Sequence, residues 1–137
     1  MRKLLLLALV TGLTACETRR GSLFTPAPSV VGTYTLRTLD DKGLPIAVNT
    51  TGTVTRSLSS DTLALKSDNT LREATVYSTA DAASGAAPTV SSVLTGGSYT
   101  LSGTSITLTI GGTPLLGTYS GGTLTLKTTT NTYVYQR

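Results

Sequence analysis

The chain has 137 residues, 11 Lys and Arg against seven Asp and Glu, no histidine and a single cysteine. Without histidine, Ser-His-Asp and Cys-His catalytic arrangements and Cys/His zinc sites are excluded, and one cysteine excludes an intrachain disulfide. The formal charge of +4 is spread over 13% charged residues with no Lys/Arg cluster among aromatics, which argues against a nucleic-acid partner.

At the start of the chain, Met1-Arg2-Lys3 leads into an apolar run from Leu4 to Leu13 broken only by Thr11 and Gly12. A basic start, about ten apolar residues and a small residue before the cut make the pattern of a secretory signal; a bilayer span needs roughly 20 apolar residues. The next residues, Leu13-Thr14-Ala15-Cys16, resemble a bacterial lipobox. That resemblance implies that Cys16 takes a diacylglyceryl group, becomes the mature N-terminus and carries a palmitate label; the bland alternative is an ordinary cleavage site before a chance cysteine. Residues 1–15 are then a lipoprotein signal peptide, 16–29 a lipidated cysteine and flexible tether, and 30–137 one small domain. Loss of Arg2 and Lys3 with the signal lowers the formal charge from +4 to +2. The tether holds Pro26 and Pro28 and shows no periodicity. Its Arg19 and Arg20 are solvated, or meet anionic headgroups for about 1 kcal/mol each. Glu17 follows the cysteine. An Asp at that place tends to retain lipoproteins in the inner membrane of double-membraned bacteria. Resemblance therefore points to the cell envelope, and to the outer membrane in such a host.

From Val30 the hydrophobic period becomes two, and Thr, present 29 times, suits the solvated face of a pleated sheet. Gly32 to Thr38 is a half-buried strand with Tyr34 and Leu36 on one side. Asp40-Asp41-Lys42-Gly43 breaks it, and Leu44-Pro45 starts a new segment. A short strand follows from Gly52 to Ser57, then a second from Thr62 to Lys66 with Leu63 and Leu65 together. Ser67 to Thr70 has turn chemistry, and a strand runs from Leu71 to about Thr79. Residues 80–88, interrupted by Gly85 and Pro88, read as an exposed loop. Thr89 to Thr95 and Ser98 to Ser102 form one long strand or a bulged one, with Gly96-Gly97 at the irregularity. Ser105 to Ile110, Leu115 to Tyr119, Thr123 to Lys127 and Tyr133 to Gln136 complete a meander whose Gly-rich two-residue links signal hairpins.

Three copies of Gly-Ser/Thr-Tyr-Ser/Thr, at Gly32, Gly97 and Gly117, recur at uneven spacing. They read as equivalent strand positions where Gly relieves crowding and Tyr packs inward. Eight or nine short antiparallel strands joined by tight turns predict an all-β, up-and-down antiparallel barrel, because closure removes the edges. An eight-strand interior is about filled by side chains or holds one small ligand. Its inward candidates are Tyr34, Leu36, Leu63, Leu65, Tyr77, Tyr99, Leu101, Ile106, Leu108, Tyr119, Leu124, Leu126, Tyr133 and Tyr135.

These motifs are similar to those of small lipocalin-like lipoproteins of bacteria. The likeness rests on Gly32 to Leu36, Leu44-Pro45, Leu63 to Thr70, Gly97 to Leu108, Ser120 to Thr125 and Thr132 to Tyr135. It covers nearly all of residues 31–137 and implies a lipocalin-like barrel; the family has no agreed activity to carry onto particular residues. The chain departs from true lipocalins in having Tyr34 where they carry Trp, and from the family's hairpin in having Asp68-Asn69 for Asp-Gly.

Most acids fall at predicted turns, where Asp goes for structural reasons. Asp40-Asp41 lacks the ligand number a calcium site requires, so neither a metal nor a cofactor is expected. Glu73 is the exception: period two places it inward beside Leu71, Thr75 and Tyr77, and the same count from Val54 places Arg56 inward. An inward Arg56–Glu73 pair would be a structural bridge or the polar anchor of a ligand cavity. A register slip of one would put both in solvent instead. Two readings stand, with no enzyme expected for want of a nucleophile–base pair. One is a membrane-anchored barrel binding a small apolar or amphipathic molecule. The other is a solid barrel acting as a protein-interaction module, with the 80–88 loop and last strand as contacts.

Overall fold

Alternation of Thr with Leu, Val, Ile and Tyr carries residues 29–137, those the computed structural model describes, into ten strands and no helix. The signal peptide, Cys16 and the tether up to residue 28 lie outside the described residues. The strands are β1 (Gly32–Leu39), β2 (Lys42–Gly43), β3 (Ile46–Thr51), β4 (Val54–Leu65), β5 (Thr70–Asp81), β6 (Thr89–Ser102), β7 (Ser105–Ile110), β8 (Thr113–Ser120), β9 (Thr123–Lys127) and β10 (Thr132–Gln136).

From β4 to β10 each strand pairs antiparallel with the next, β10 pairs with β1, and β1 returns to β4 through Gly32↔Leu65 to Thr35↔Thr62. The result is the expected closed, up-and-down barrel of eight strands. Two extra strands sit at one end: β2 on the end of β1, and β3 on Val54–Leu58 of β4. Three turns use paired left-handed residues, Asp40-Asp41, Gly111-Gly112 and Gly121-Gly122, as a type I′ hairpin requires. Asp40 also ties two turns together: its carboxylate accepts the Thr132 amide and the Asn131 side-chain amide, each at 2.7 Å.

Two features differ from the sequence expectations, and one open alternative is resolved. The segments expected as Gly52–Ser57 and Thr62–Lys66 are one strand, β4, whose register against β5 shifts between Leu58 and Ser60. The alternation lost at Ser59-Ser60 is a bulge inside a strand rather than a loop between two. Of the two forms open to Thr89–Ser102 the structure takes the single long strand, since β6 keeps an even register with β5 through Gly96-Gly97. Gly97 is needed because a Cβ there would overlap the Thr109 carbonyl oxygen of β7. The loop at 80–88 is shorter at its start, because β5 continues through Asp81, whose carboxylate accepts the Thr53 hydroxyl and the Ala83 amide.

One end of the barrel is sealed. Tyr34, Tyr99 and Tyr119, the tyrosines of the repeated motif, are at most 4% exposed. Their hydroxyls donate to the carbonyls of Val30, Lys66 and Ser29. Tyr34 and Tyr119 meet edge to face, with ring centroids 6.3 Å apart, and burial pushes the Tyr34 hydroxyl pKa up to about 12. Arg137 donates to the Val31 carbonyl at 2.8 Å and reaches over the Tyr34 ring, so chain entry and chain end close the same floor. Above the floor Leu63, Leu71, Ile106, Leu108, Leu124 and Leu126 are fully buried and fill the cross-section.

Candidate functional site at the open end

The other end carries polar and aromatic side chains, of which Glu73, Tyr77 and Tyr133 are half-buried and Asp61, Thr75 and Tyr135 buried. Along β5 the inner face carries Leu71, Glu73, Thr75 and Tyr77. Leu71 is buried in the core, while Glu73 and Tyr77 are half-buried. On β4 the bulge changes which residues are buried, from Leu58 before it to Asp61, Leu63 and Leu65 after it; Arg56, two residues before Leu58, is exposed.

Asp61 is thereby carried into the interior opposite Thr75, where it is 5% exposed. Its carboxylate accepts the Tyr135 hydroxyl at 2.9 Å and the Thr75 hydroxyl at 3.3 Å. Burial raises the Asp61 pKa, and these two hydrogen bonds and the Thr62 backbone oppose the rise. Burial and the adjacent Asp61 charge push the Tyr135 hydroxyl well above its ordinary value. Glu73 lies one inward position deeper on β5. Burial, and then the Asp61 charge, push it up to about 7. No hydrogen bond from the described residues relieves it. Tyr133 completes the cluster, its pKa raised by burial first and then by Asp40, Asp61, Tyr77 and Glu73.

The anticipated inward Arg56–Glu73 pair does not form: Glu73 is half-buried, whereas Arg56 is exposed. Arg56 pairs in register with Thr79, six residues along β5 from Glu73, or roughly 20 Å at strand rise. Its guanidinium lies instead over the Tyr77 ring, 3.8 Å from the centroid.

Beside this cluster a cleft of about 420 Å³ opens between β2, β3 and the β9–β10 turn. Leu39, Ile46, Ala47 and Val48 supply its apolar wall, Asp40, Lys42 and Asn131 its polar rim. Tyr133 lines it too, joining cleft and cluster at one mouth. The volume falls in the range of about 300–1,000 Å³ that small-molecule sites occupy.

The remaining sequence candidates stand elsewhere. Tyr34, Leu36, Leu63, Leu65, Tyr99, Ile106, Leu108, Tyr119 and Leu124 belong, with Leu126 and Tyr135, to one packed core. Leu101 is 38% exposed near the sealed end and outside that core. The residue that sequence reasoning missed is Asp61, which falls between the strands expected at Gly52–Ser57 and Thr62–Lys66. The available signal was the change of phase, from even-numbered Val54, Arg56 and Leu58 to odd-numbered Leu63 and Leu65.

Fold and site together define a closed antiparallel β-barrel with a sealed floor and a carboxylate-bearing mouth. No family model matches the chain, and no curated protein or solved structure matches it.

Proposed function

We propose that this chain is an exported lipoprotein, anchored through Cys16, whose lipocalin-like barrel binds a small amphipathic molecule at its open end. The reading assigns it no reaction. What carries the reading is Glu73: a half-buried carboxyl, free of protein hydrogen-bond partners among the described residues, in a cluster that shares Tyr133 with a cleft of ligand size. Tyr77 and Tyr133 offer rings for an apolar body, while Glu73 and the rim offer polar contacts for a head group. The signal motif and the lipocalin-like turn pattern support anchoring and family in the same sense.

The packed lower barrel favours a second reading, a solid barrel that serves as a protein-interaction module of the envelope. Native mass spectrometry of the full-length protein, extracted from its host membrane, separates the two. Binding predicts a retained small-molecule mass in the parent that is lost from Tyr77→Ala and Glu73→Gln. A parent carrying only its acyl groups leaves the solid barrel standing. Failure of palmitate to follow Cys16, with label unchanged in Cys16→Ser, would sink the anchor by itself.

A further inference from the structure

Between Thr89 and Thr95, β6 pairs with β5 on one side only, because β7 joins it first at Gly97. The backbone donors and acceptors of the other side face solvent there, and every residue from Thr89 to Leu94 is exposed. Sheets ordinarily guard such edges with charge, proline or a bulge. A proline precedes both β3 and β6, Pro45 and Pro88, but β3 is also bulged between Ala47 and Asn49, and the edge strand β2 is two residues long and carries Lys42. On β6 the stretch Thr-Val-Ser-Ser-Val-Leu-Thr holds no charge and no proline, and its register against β5 never shifts. It also presents Val90 and Leu94 at 71% and 74% exposure, the two most exposed large hydrophobic residues described.

We propose that this edge pairs with the same edge of a second copy of the chain, antiparallel about Ser92. Directly opposed residues of an antiparallel pair share a face. In this register Val90 lies opposite Leu94 of the second copy, Leu94 opposite its Val90, and Ser92 opposite Ser92. A register centred on Ser91 or Val93 sets one of the two apolar residues against serine instead and leaves the other without an apolar partner. The segment is therefore self-complementary in one register, as a two-fold contact demands. It carries no charge that two copies would bring together, whereas a head-to-tail contact onto β3 would meet that strand's bulge. The joined edges extend the β3–β4–β5–β6 overhang into one sheet across the axis. The contact spans roughly 23 Å of strand and falls below the area of a stable interface, about 1,000 Å². Association is accordingly weak in dilute solution, so the test traps it.

Ser92→Cys in the full-length, membrane-resident protein places two thiols on the axis. Opposed Cα atoms lie about 4.5–5.5 Å apart, within the span a disulfide accepts. Mild copper–phenanthroline oxidation should convert most of this variant to a linked homodimer. The parent and Leu116→Cys, equally solvent-facing on a strand paired on both sides, should remain monomeric. Adding Leu94→Lys to Ser92→Cys should reduce the dimer several-fold; unchanged melting certifies its fold, and Leu94→Thr replaces it if melting moves. Linkage no greater than in Leu116→Cys, linkage indifferent to position 94, or linkage chiefly to a different protein each overturns the proposal.

Discussion

A carboxyl that titrates near neutrality leaves a mark on stability. Glu73 is raised from 4.5 to about 7 in the folded chain, so the folded state holds its proton more tightly than the unfolded state. Its favourable contribution is complete below pH 4.5 and declines as pH rises to 7. Because the group is partly solvated, the swing is on the order of 1 kcal/mol. Glu73→Gln should flatten denaturant midpoints across that window and leave the variant more stable than the parent at pH 8. A parent whose midpoint does not change between pH 4.5 and 7.5 would contradict this account. Glu73 was legible in the sequence because its neighbours Leu71, Thr75 and Tyr77 keep strict alternation. Asp61 was not. A local pattern shows how residues alternate, but a bulge that resets the alternation acts through the partner strand, and that strand is remote in sequence.

The repeated Gly-Ser/Thr-Tyr unit shows what an element can disclose before it is folded. Each unit sets its tyrosine inward, and each hydroxyl finds a backbone carbonyl at the floor. At Gly97 and Gly117 an added Cβ would strike the carbonyl of the adjoining strand, Thr109 in one case and Thr125 in the other. Gly96, one residue earlier, has nothing within 4 Å of such a Cβ. Gly97→Ala should therefore cost about 3 kcal/mol or prevent folding, as overpacking does. Gly96→Ala should be neutral or gain about 0.4–1 kcal/mol by restricting the unfolded chain. Paired urea melts of the two variants read the difference, and equal losses would mean that the close strand approach is not what selects glycine. The motif pointed to inward tyrosines and relieved crowding. It could not reveal that Gly97 meets β7, because strand neighbours are set by closure of the whole barrel.

For the molecule as a whole, closure depends on short-range events at the floor. β1 meets β4 over only Gly32 to Thr35, and Arg137 braces that junction from the far end of the chain through the Ser29 and Val31 carbonyls. Arg137→Ala removes both contacts and should lower stability by about 1–2 kcal/mol, since hydrogen bonds from a charged donor exceed neutral ones. A thermal melt reads this as a drop of several degrees, and a melt superimposable on the parent's would show the brace to be idle. The hairpin order from β5 to β10 was legible from alternation and Gly-rich links, but the strand count was not, since β4 read as two strands and β2 and β3 carry no clear alternation. The sealed and open ends were not, because they arise from where the two termini of the domain converge.

That convergence has a directional consequence. Ser29 enters through the plugged base, so whatever holds the chain from upstream pulls on the base, and the Glu73 aperture opens at the opposite pole. On the proposed reading, with an acylated Cys16 as the mooring, a visitor to the aperture would arrive from the aqueous compartment and not by sliding out of the leaflet beneath.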